Sequence, residues 1–413
     1  MVCTEWLGMQ KKFLVTVTAL LVLVAVILTA GCTGTTDPAA GPTVNIIEIS
    51  AAQQINSLAL GQIDGMINWQ PNVAAAAVSG VAKVVSYSQN LPRSDGKTWS
   101  EHTCCVFGGN KQGLANKDLA TVLTGLMLLG NGYITAHPDD SAAAVSNWMY
   151  GTTDPVYGSV TVKGVDIIKA SLPTIRFSTE LTQAWKDSNY EFVTIQRGLN
   201  TLTNNLKSTS REDTEALIYD FEPYYAAQKI IAENGQFPEP VSSSIKIGYL
   251  LSDHDSPLFI LLKNWEFFRD NYNAYLKPVA DGNGAVDAAA LYVNGKKICD
   301  VTIIQGSGGP NLMTLLQTNE IQYAVAGTPP FLSSIDTQPG LKIISPIMTE
   351  GSALMVGTSA PVSNWNEFVD WAKQRSAEGH NLLIAVPQFN SIQDVQLKDA
   401  LESAGLVCAK MSA

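Results

Sequence analysis

Leu58-Ala59-Leu60-Gly61-Gln62-Ile63-Asp64-Gly65-Met66-Ile67-Asn68-Trp69-Gln70-Pro71 is the stretch on which the fold turns. It reads as a helix end, a glycine turn, an apolar strand over Gly65–Trp69 and a loop stopped by proline. The same grammar returns in Leu316-Gln317-Thr318-Asn319-Glu320-Ile321-Gln322-Tyr323-Ala324-Val325-Ala326-Gly327-Thr328-Pro329. Leu58, Ile63 and Pro71 are answered by Leu316, Ile321 and Pro329 at a constant offset of 258 positions. A helix–turn–strand unit used twice implies duplicated architecture. Outward from these units, hydrophobic patterning predicts strands over 44–49, 82–86, 104–108, 245–250, 301–304, 341–343, 353–356 and 382–386. It predicts helices over 51–60, 73–79, 117–135, 139–149, 257–271, 311–317, 365–377 and 391–404, with 165–235 mostly helical. Short strands alternating with helices imply an α/β fold with mixed, mostly parallel sheets.

The N-terminal region has its own logic. Lys11 and Lys12 precede an uncharged apolar run from Phe13 to Ala30, and Leu28-Thr29-Ala30-Gly31-Cys32 closes it. A basic edge, an apolar run and small residues before a cysteine are the parts of an export signal. Leu-x-Ala-Gly-Cys resembles the lipobox of prokaryotic lipoproteins, which implies that residues 1–31 are a leader and that Cys32 is a lipid anchor. An uncleaved membrane anchor is the alternative that the run's length also permits. The small, polar residues 32–43 read as a flexible tether. In either case the rest of the chain is expected on the extracytoplasmic face of the cell membrane.

The formal net charge of −11 argues against a nucleic-acid or anionic-membrane partner, which would select basic patches. The cysteines show neither a CxxC pair nor a zinc-finger spacing. His102-Thr103-Cys104-Cys105 could be imagined as a metal cluster, but a buried strand with cysteine as a small hydrophobe is the favoured reading, and no metal is expected. A Cys104–Cys105 disulfide is left open.

Several stretches resemble the substrate-binding proteins of ABC importers, in the branch that takes nitrate, sulfonates, taurine and thiamine precursors. They are Ile245-Lys246-Ile247-Gly248-Tyr249-Leu250 with Ser252-Asp253-His254-Asp255, Gly306-Ser307-Gly308-Gly309, Ala326-Gly327-Thr328-Pro329-Pro330, Glu350-Gly351-Ser352, Ile384-Ala385-Val386-Pro387, and Gly61-Gln62-Ile63-Asp64-Gly65 with Trp69-Gln70-Pro71. The resemblance implies a two-lobed, periplasmic-binding-protein-like (type II) fold. It also implies a small-molecule solute, an ABC permease as partner, no cofactor and a monomeric state. The segment order is rotated relative to that family, as a circular permutation would make it. Lobe I would then be 104–387, lobe II 44–103 with 388–413, and the hinges near 102–106 and 386–390. A fragment trimmed from a tandem array is the competing explanation.

Ligands of open α/β sheets bind beyond the carboxyl ends of the strands. That rule selects Ser252, Asp253, His254, Gly306, Ser307, Gly308, Gly309, Thr328, Pro329, Gly351, Ser352, Asn390, Ser391, Trp69 and Gln70 as ligand-binding candidates. Structural readings stand beside them: a tight turn for Gly306–Gly309, a helix cap for Asn390-Ser391, core packing for Trp69, and a cap for Asp253. The expected solute is small and polar or anionic, although Asp253, Asp255 and Glu350 leave room for a cation or zwitterion. A thiamine-pyrimidine synthase of the same fold is the enzymatic alternative. That class uses a pyridoxal cofactor, a lysine, a histidine and a cysteine-rich motif, of which Cys104-Cys105 is a faint reminder. The export signal and the lack of a GxSxG element speak against an enzyme.

Overall fold

The computed structural model describes residues 41–280 and 282–411. The expected leader, the Cys32 anchor and most of the tether lie outside them. The strands, in chain order, are β1 Thr43–Glu48, β2 Gly65–Trp69, β3 Ala82–Tyr87, β4 Cys105–Gly109, β5 Val156–Tyr157, β6 Val160–Thr161, β7 Ile175–Phe177, β8 Ser244–Leu250, β9 Ala274–Pro278, β10 Ala288–Val293, β11 Lys296–Gly306, β12 Tyr323–Gly327, β13 Lys342–Pro346, β14 Met348–Glu350, β15 Ser352–Gly357, β16 Leu383–Val386 and β17 Val407–Met411. Helices alternate with them, so the fold is α/β.

Two large sheets carry the structure. A six-stranded sheet has the order β17-β1-β16-β2-β15-β3, and a seven-stranded sheet the order β13-β4-β12-β8-β11-β10-β9. β1 lies between β17 and β16 and pairs in parallel with both, with Asn45 opposite Leu383 and Ala409. Residues 407–411 near the chain's other end thus lie beside residues 43–47 in one sheet. Both sheets are mixed: the six-stranded one pairs mostly in parallel, as expected, whereas the seven-stranded one does not, because β9, β10 and β11 form an antiparallel meander and β4 runs antiparallel to both β12 and β13.

The period of two sorts side chains to the two faces of the six-stranded sheet. Ile67, Leu354, Ile384 and Val386 face one large core, while Met66, Ala353, Met355 and Ala385 face a second cluster with Ile55, Leu58 and Val73. On the seven-stranded sheet the large core is filled by aromatics. Phe107 stacks on Tyr323 with ring centroids 5.6 Å apart, and Trp148 on Phe259 at 4.5 Å. The twenty-residue helix Lys117–Ala136 is apolar and long enough to cross a membrane, yet most of it is buried in this core.

The sheets divide the chain differently from the expected 104–387. β15 sits between β2 and β3, and β16 between β1 and β2, so residues 352–386 belong with the six-stranded sheet. The chain passes between sheets at 88–104 and again at 346–351. These two passages run side by side: Thr103 bridges Thr349, and the Glu350 amide donates to the His102 carbonyl at 3.3 Å. The expected hinge at 102–106 overlaps the end of the first passage and runs into β4, whereas 386–390 is a loop after β16. Two helices also differ. The expected 257–271 helix breaks at Asn264 into Ser256–Lys263 and Trp265–Asn271. Thr328–Thr337 is a helix, with proline in its first turn where it is tolerated, and not a loop.

Candidate functional site

Beside the two passages, loops from both sheets meet. After β8, Ser252 accepts from the His254 amide and so starts a short turn, which aims His254 across the gap. After β2, Gln70 comes from the other sheet. Its carbonyl accepts from Ser252 Oγ at 2.9 Å and from the Asp253 amide at 3.2 Å. The Gln70 amide donates to the Gly351 carbonyl at 3.0 Å, and His254 Nε2 lies 2.9 Å from that same oxygen. One carbonyl on the passage at 346–351 therefore ties both sheets together. Gly351 holds φ +80°, and a Cβ there would lie 2.6 Å from His254 Nε2, so glycine is required twice over.

The other side of His254 faces sulfur. Its Nδ1 lies 3.4 Å from Cys104 Sγ and 3.7 Å from Cys105 Sγ. All three residues are buried. Burial alone would keep the Cys104 thiol neutral, but the hydrogen bond from Cys105 and the charge on His254 outweigh it and hold Cys104 well below the usual thiol range. Burial works against protonation of His254, and the facing Cys104 charge reverses that and raises its pKa. Cys105, as the donor to Cys104 and buried, is raised. Burial pushes Asp253 up to about 7, despite its bond from Ser171 Oγ, and raises Asp255, which accepts from the Leu250 amide.

The candidate residues divide into those that meet here and those with structural work. Ser252, Asp253, His254, Gln70 and Gly351 are in direct contact. Thr328 joins them through Thr103 Oγ1 at 3.3 Å and the Cys104 carbonyl, and Ser352 accepts from Gln393 Nε2 at 2.8 Å. Trp69 is half-buried, with an indole N–H that has no partner. Ser391 caps the helix Ile392–Ser403, and the Asn390 amide donates to Asp394, so this pair serves the helix start. Pro329 sits in the first turn of helix Thr328–Thr337.

The glycine run was expected to leave room for a ligand, but protein fills that room. A Cβ on Gly306 would meet Leu312, one on Gly309 would meet Pro330, and one on Gly308 would run into Gln388 Oε1 from the other sheet. Ser307 is exposed and its amide donates to Asn311.

Sequence reading missed the union of Cys104 and Cys105 with His254, which lie about 150 positions apart. His102, grouped with the cysteines by sequence, turns away: its ring nitrogens lie 2.8 Å from the Thr103 carbonyl and 2.9 Å from Ser88 Oγ. Away from this cluster, an open groove of about 740 Å³ lies between helices, lined by residues including Leu128, Tyr133, His137, Tyr225 and Phe267.

The fold and site thus define an α/β protein with mixed sheets and a buried polar junction between them. The chain is 31% identical over 114 residues to the uncharacterized protein MJ1180 of Methanocaldococcus jannaschii, a match covering 27% of this chain and 76% of that one. It belongs to the same family as that archaeal protein. The chain matches no described family signature and no solved structure.

Proposed function

We propose that this chain is an extracytoplasmic solute-binding lipoprotein, anchored through Cys32, that captures a small polar solute between two lobes and hands it to an ABC permease. The carrying observation is the repeated strand pattern. The run β1-β16-β2-β15-β3 and the run β11-β8-β12-β4-β13 have the same order of parallel, parallel, antiparallel and antiparallel pairings. β2 and β12 occupy matching places and begin and end 258 positions apart. Two equivalent lobes joined by two adjacent passages make a hinge, and polar loops of both lobes meet beside it, where hinge closure would enclose a ligand. Pairing of β1 with both β16 and β17 fits a rotated segment order, since one lobe is then built from residues 43–87 and 352–411.

The residues at this junction suit a binder better than a pyridoxal enzyme, because none of the contacting residues named above is a lysine. No arginine is among them either, so a neutral or zwitterionic solute fits at least as well as a bare oxyanion. Ser252, Gln70, Thr328 and Ser352 supply the hydroxyl and amide groups for it.

A thermal-shift screen tests the reading, with nitrate, sulfonates, taurine, bicarbonate, amino acids and pyrimidines as probes. A true ligand at 100 times its Kd stabilises the folded chain by about 2.7 kcal/mol. Ser252→Ala should lower that response; because its hydroxyl also bonds the Gln70 carbonyl and caps the His254 amide, the ligand-induced shift is read against the variant's own unliganded melting temperature. A flat response to every probe would overturn the proposal.

A further inference from the structure

We propose that Cys104, Cys105 and His254 form a binding site for a thiophilic d10 cation, Zn(II) or Cu(I), at the junction of the two sheets. The inference rests on ligand geometry and does not depend on the solute-binding reading. The two sulfurs and the imidazole nitrogen all lie within 4.8 Å of one another, and all three residues are buried. Two thiolates and an imidazole are a soft donor set that suits Zn(II) or Cu(I), whereas Ca(II) and Mg(II) take oxygen ligands.

Three further observations point the same way. Neighbouring residues in a strand point to opposite faces, yet Cys104 and Cys105 both reach one nitrogen. Cys105 opens β4 and Cys104 precedes it, so the backbone leaves the pleat at the place where both sulfurs converge. The Gly351 carbonyl accepts from Nε2–H, which turns Nδ1 toward the sulfurs, as the outer partner of a metal-bound histidine does. Asp253 Oδ1 and Asp255 Oδ1, on either side of His254 in sequence, are buried without hydrogen-bond partners. Buried acceptors without partners are costly, and a cation bound by this trio would offset that cost.

The test uses the full chain, purified in detergent under reductant, stripped with chelator, loaded with Zn(II), Cu(I) or Co(II), and desalted. One equivalent should be retained, and the Co(II) form should show thiolate-to-metal charge transfer in the near ultraviolet. Cys105→Ala and His254→Gln should each lower retention at least tenfold, while Cys299→Ala and Cys408→Ala leave it unchanged. Retention of only Zn(II) or only Cu(I) identifies the cation. Because His254→Gln removes a junction contact, circular dichroism accompanies it, and Cys105→Ala, a small buried change, carries the conclusion if the histidine variant unfolds. No retained metal, equal retention in Cys105→Ala, or a Cys104–Cys105 disulfide that survives reductant would overturn the proposal.

Discussion

The two large sheets share a five-strand pattern and differ in what covers them. The helix that follows β8, Ser256–Lys263, is apolar through Leu258-Phe259-Ile260-Leu261-Leu262, each of them fully buried. It packs against helices Lys117–Ala136 and Pro138–Tyr150, so the seven-stranded half is thick. The helix in the matching place after β16, Ile392–Ser403, instead buries Gln393, Asp394, Gln396 and Asp399 beside its apolar residues. The edge strand of that half, β17, is largely exposed. One backbone pattern thus supports an apolar helix on one sheet and a more polar one on the other. Stability should be lower, and opening easier, in the six-stranded half.

The largest expected effect breaks this comparison directly. Ile46 is fully buried in the middle of β1. Ile46→Ala should cost about 2–5 kcal/mol, as truncation of buried isoleucine does. Hydrogen exchange should then show lost protection in β1, β16 and β17 while β8 and β11 stay protected. Equal loss in both sheets would mean that the halves unfold as one unit.

A smaller effect probes the contact between halves. Gly308 faces the end of the flexible Gln388 side chain, so Gly308→Ala should push that amide aside at a cost of about 1 kcal/mol. Adding Gln388→Ala should recover most of the loss, because it removes the obstructing amide. A double-mutant cycle by urea denaturation reads the coupling, and additive costs would show that the two residues do not touch.

The repeat offers a third test. Gln70 and Thr328 stand 258 positions apart at the ends of β2 and β12. Gln70 Oε1 accepts from the Ala74 amide at 2.9 Å and its Nε2 donates to Thr174 Oγ1 at 2.8 Å, whereas the Thr328 hydroxyl contacts are 3.3 Å. Gln70→Ala should therefore cost about 1–2 kcal/mol and Thr328→Val about half as much. The reverse order, in the same denaturation assay, would show that the repeat's two loops are not used as the geometry suggests.

Most of the strand pattern was legible because the β-branched run Val44–Ile49 buries alternate residues at Val44 and Ile46, and Ile245–Leu250 is apolar enough to be buried continuously from Ile247. The echo at 58–71 and 316–329 was legible because each unit folds by local rules. β10 was missed because Ala288-Ala289-Ala290-Leu291 has no strand-like composition and is held by β9 and β11 on either side. Helix Thr328–Thr337 was missed because Pro329 reads as the stop of a loop, like Pro71, although proline in a first turn starts helices. The division at 387 failed because β15 and β16 insert between strands from the other end of the sequence, which is a tertiary fact. The sulfur–imidazole cluster was invisible for the same reason: nothing local links Cys104 and Cys105 to His254. At the glycine run, Leu312, Pro330 and Gln388 occupy the places where side chains would stand, which no local pattern in the sequence shows.

The smallest expected effect concerns pH and follows from the polar helix. Burial raises the pKa of Asp394 above 3.8, and Lys398 at 2.8 Å and the Asn390 amide only partly offset it; burial likewise raises Asp399, against the bond from the Ser94 amide. A carboxyl whose native pKa is raised holds its proton longer in the folded chain than in the unfolded one. The folded state then binds more protons as pH climbs from 3.8, and the slope of unfolding free energy against pH is negative. The contribution of these two acids is most favourable below 3.8 and declines as pH rises through their native pKa values. Asp394→Asn with Asp399→Asn should remove that decline. Urea midpoints from about pH 4 to pH 7 should show the stability difference between wild type and the double variant drifting in the variant's favour as pH rises. The helix Ser256–Lys263 holds no acid, so the drift should be confined to exchange-protected amides of the six-stranded half. A difference that stays constant across the pH series would mean that both carboxyls titrate as in the unfolded chain, and the polar character of this half would then carry no electrostatic cost.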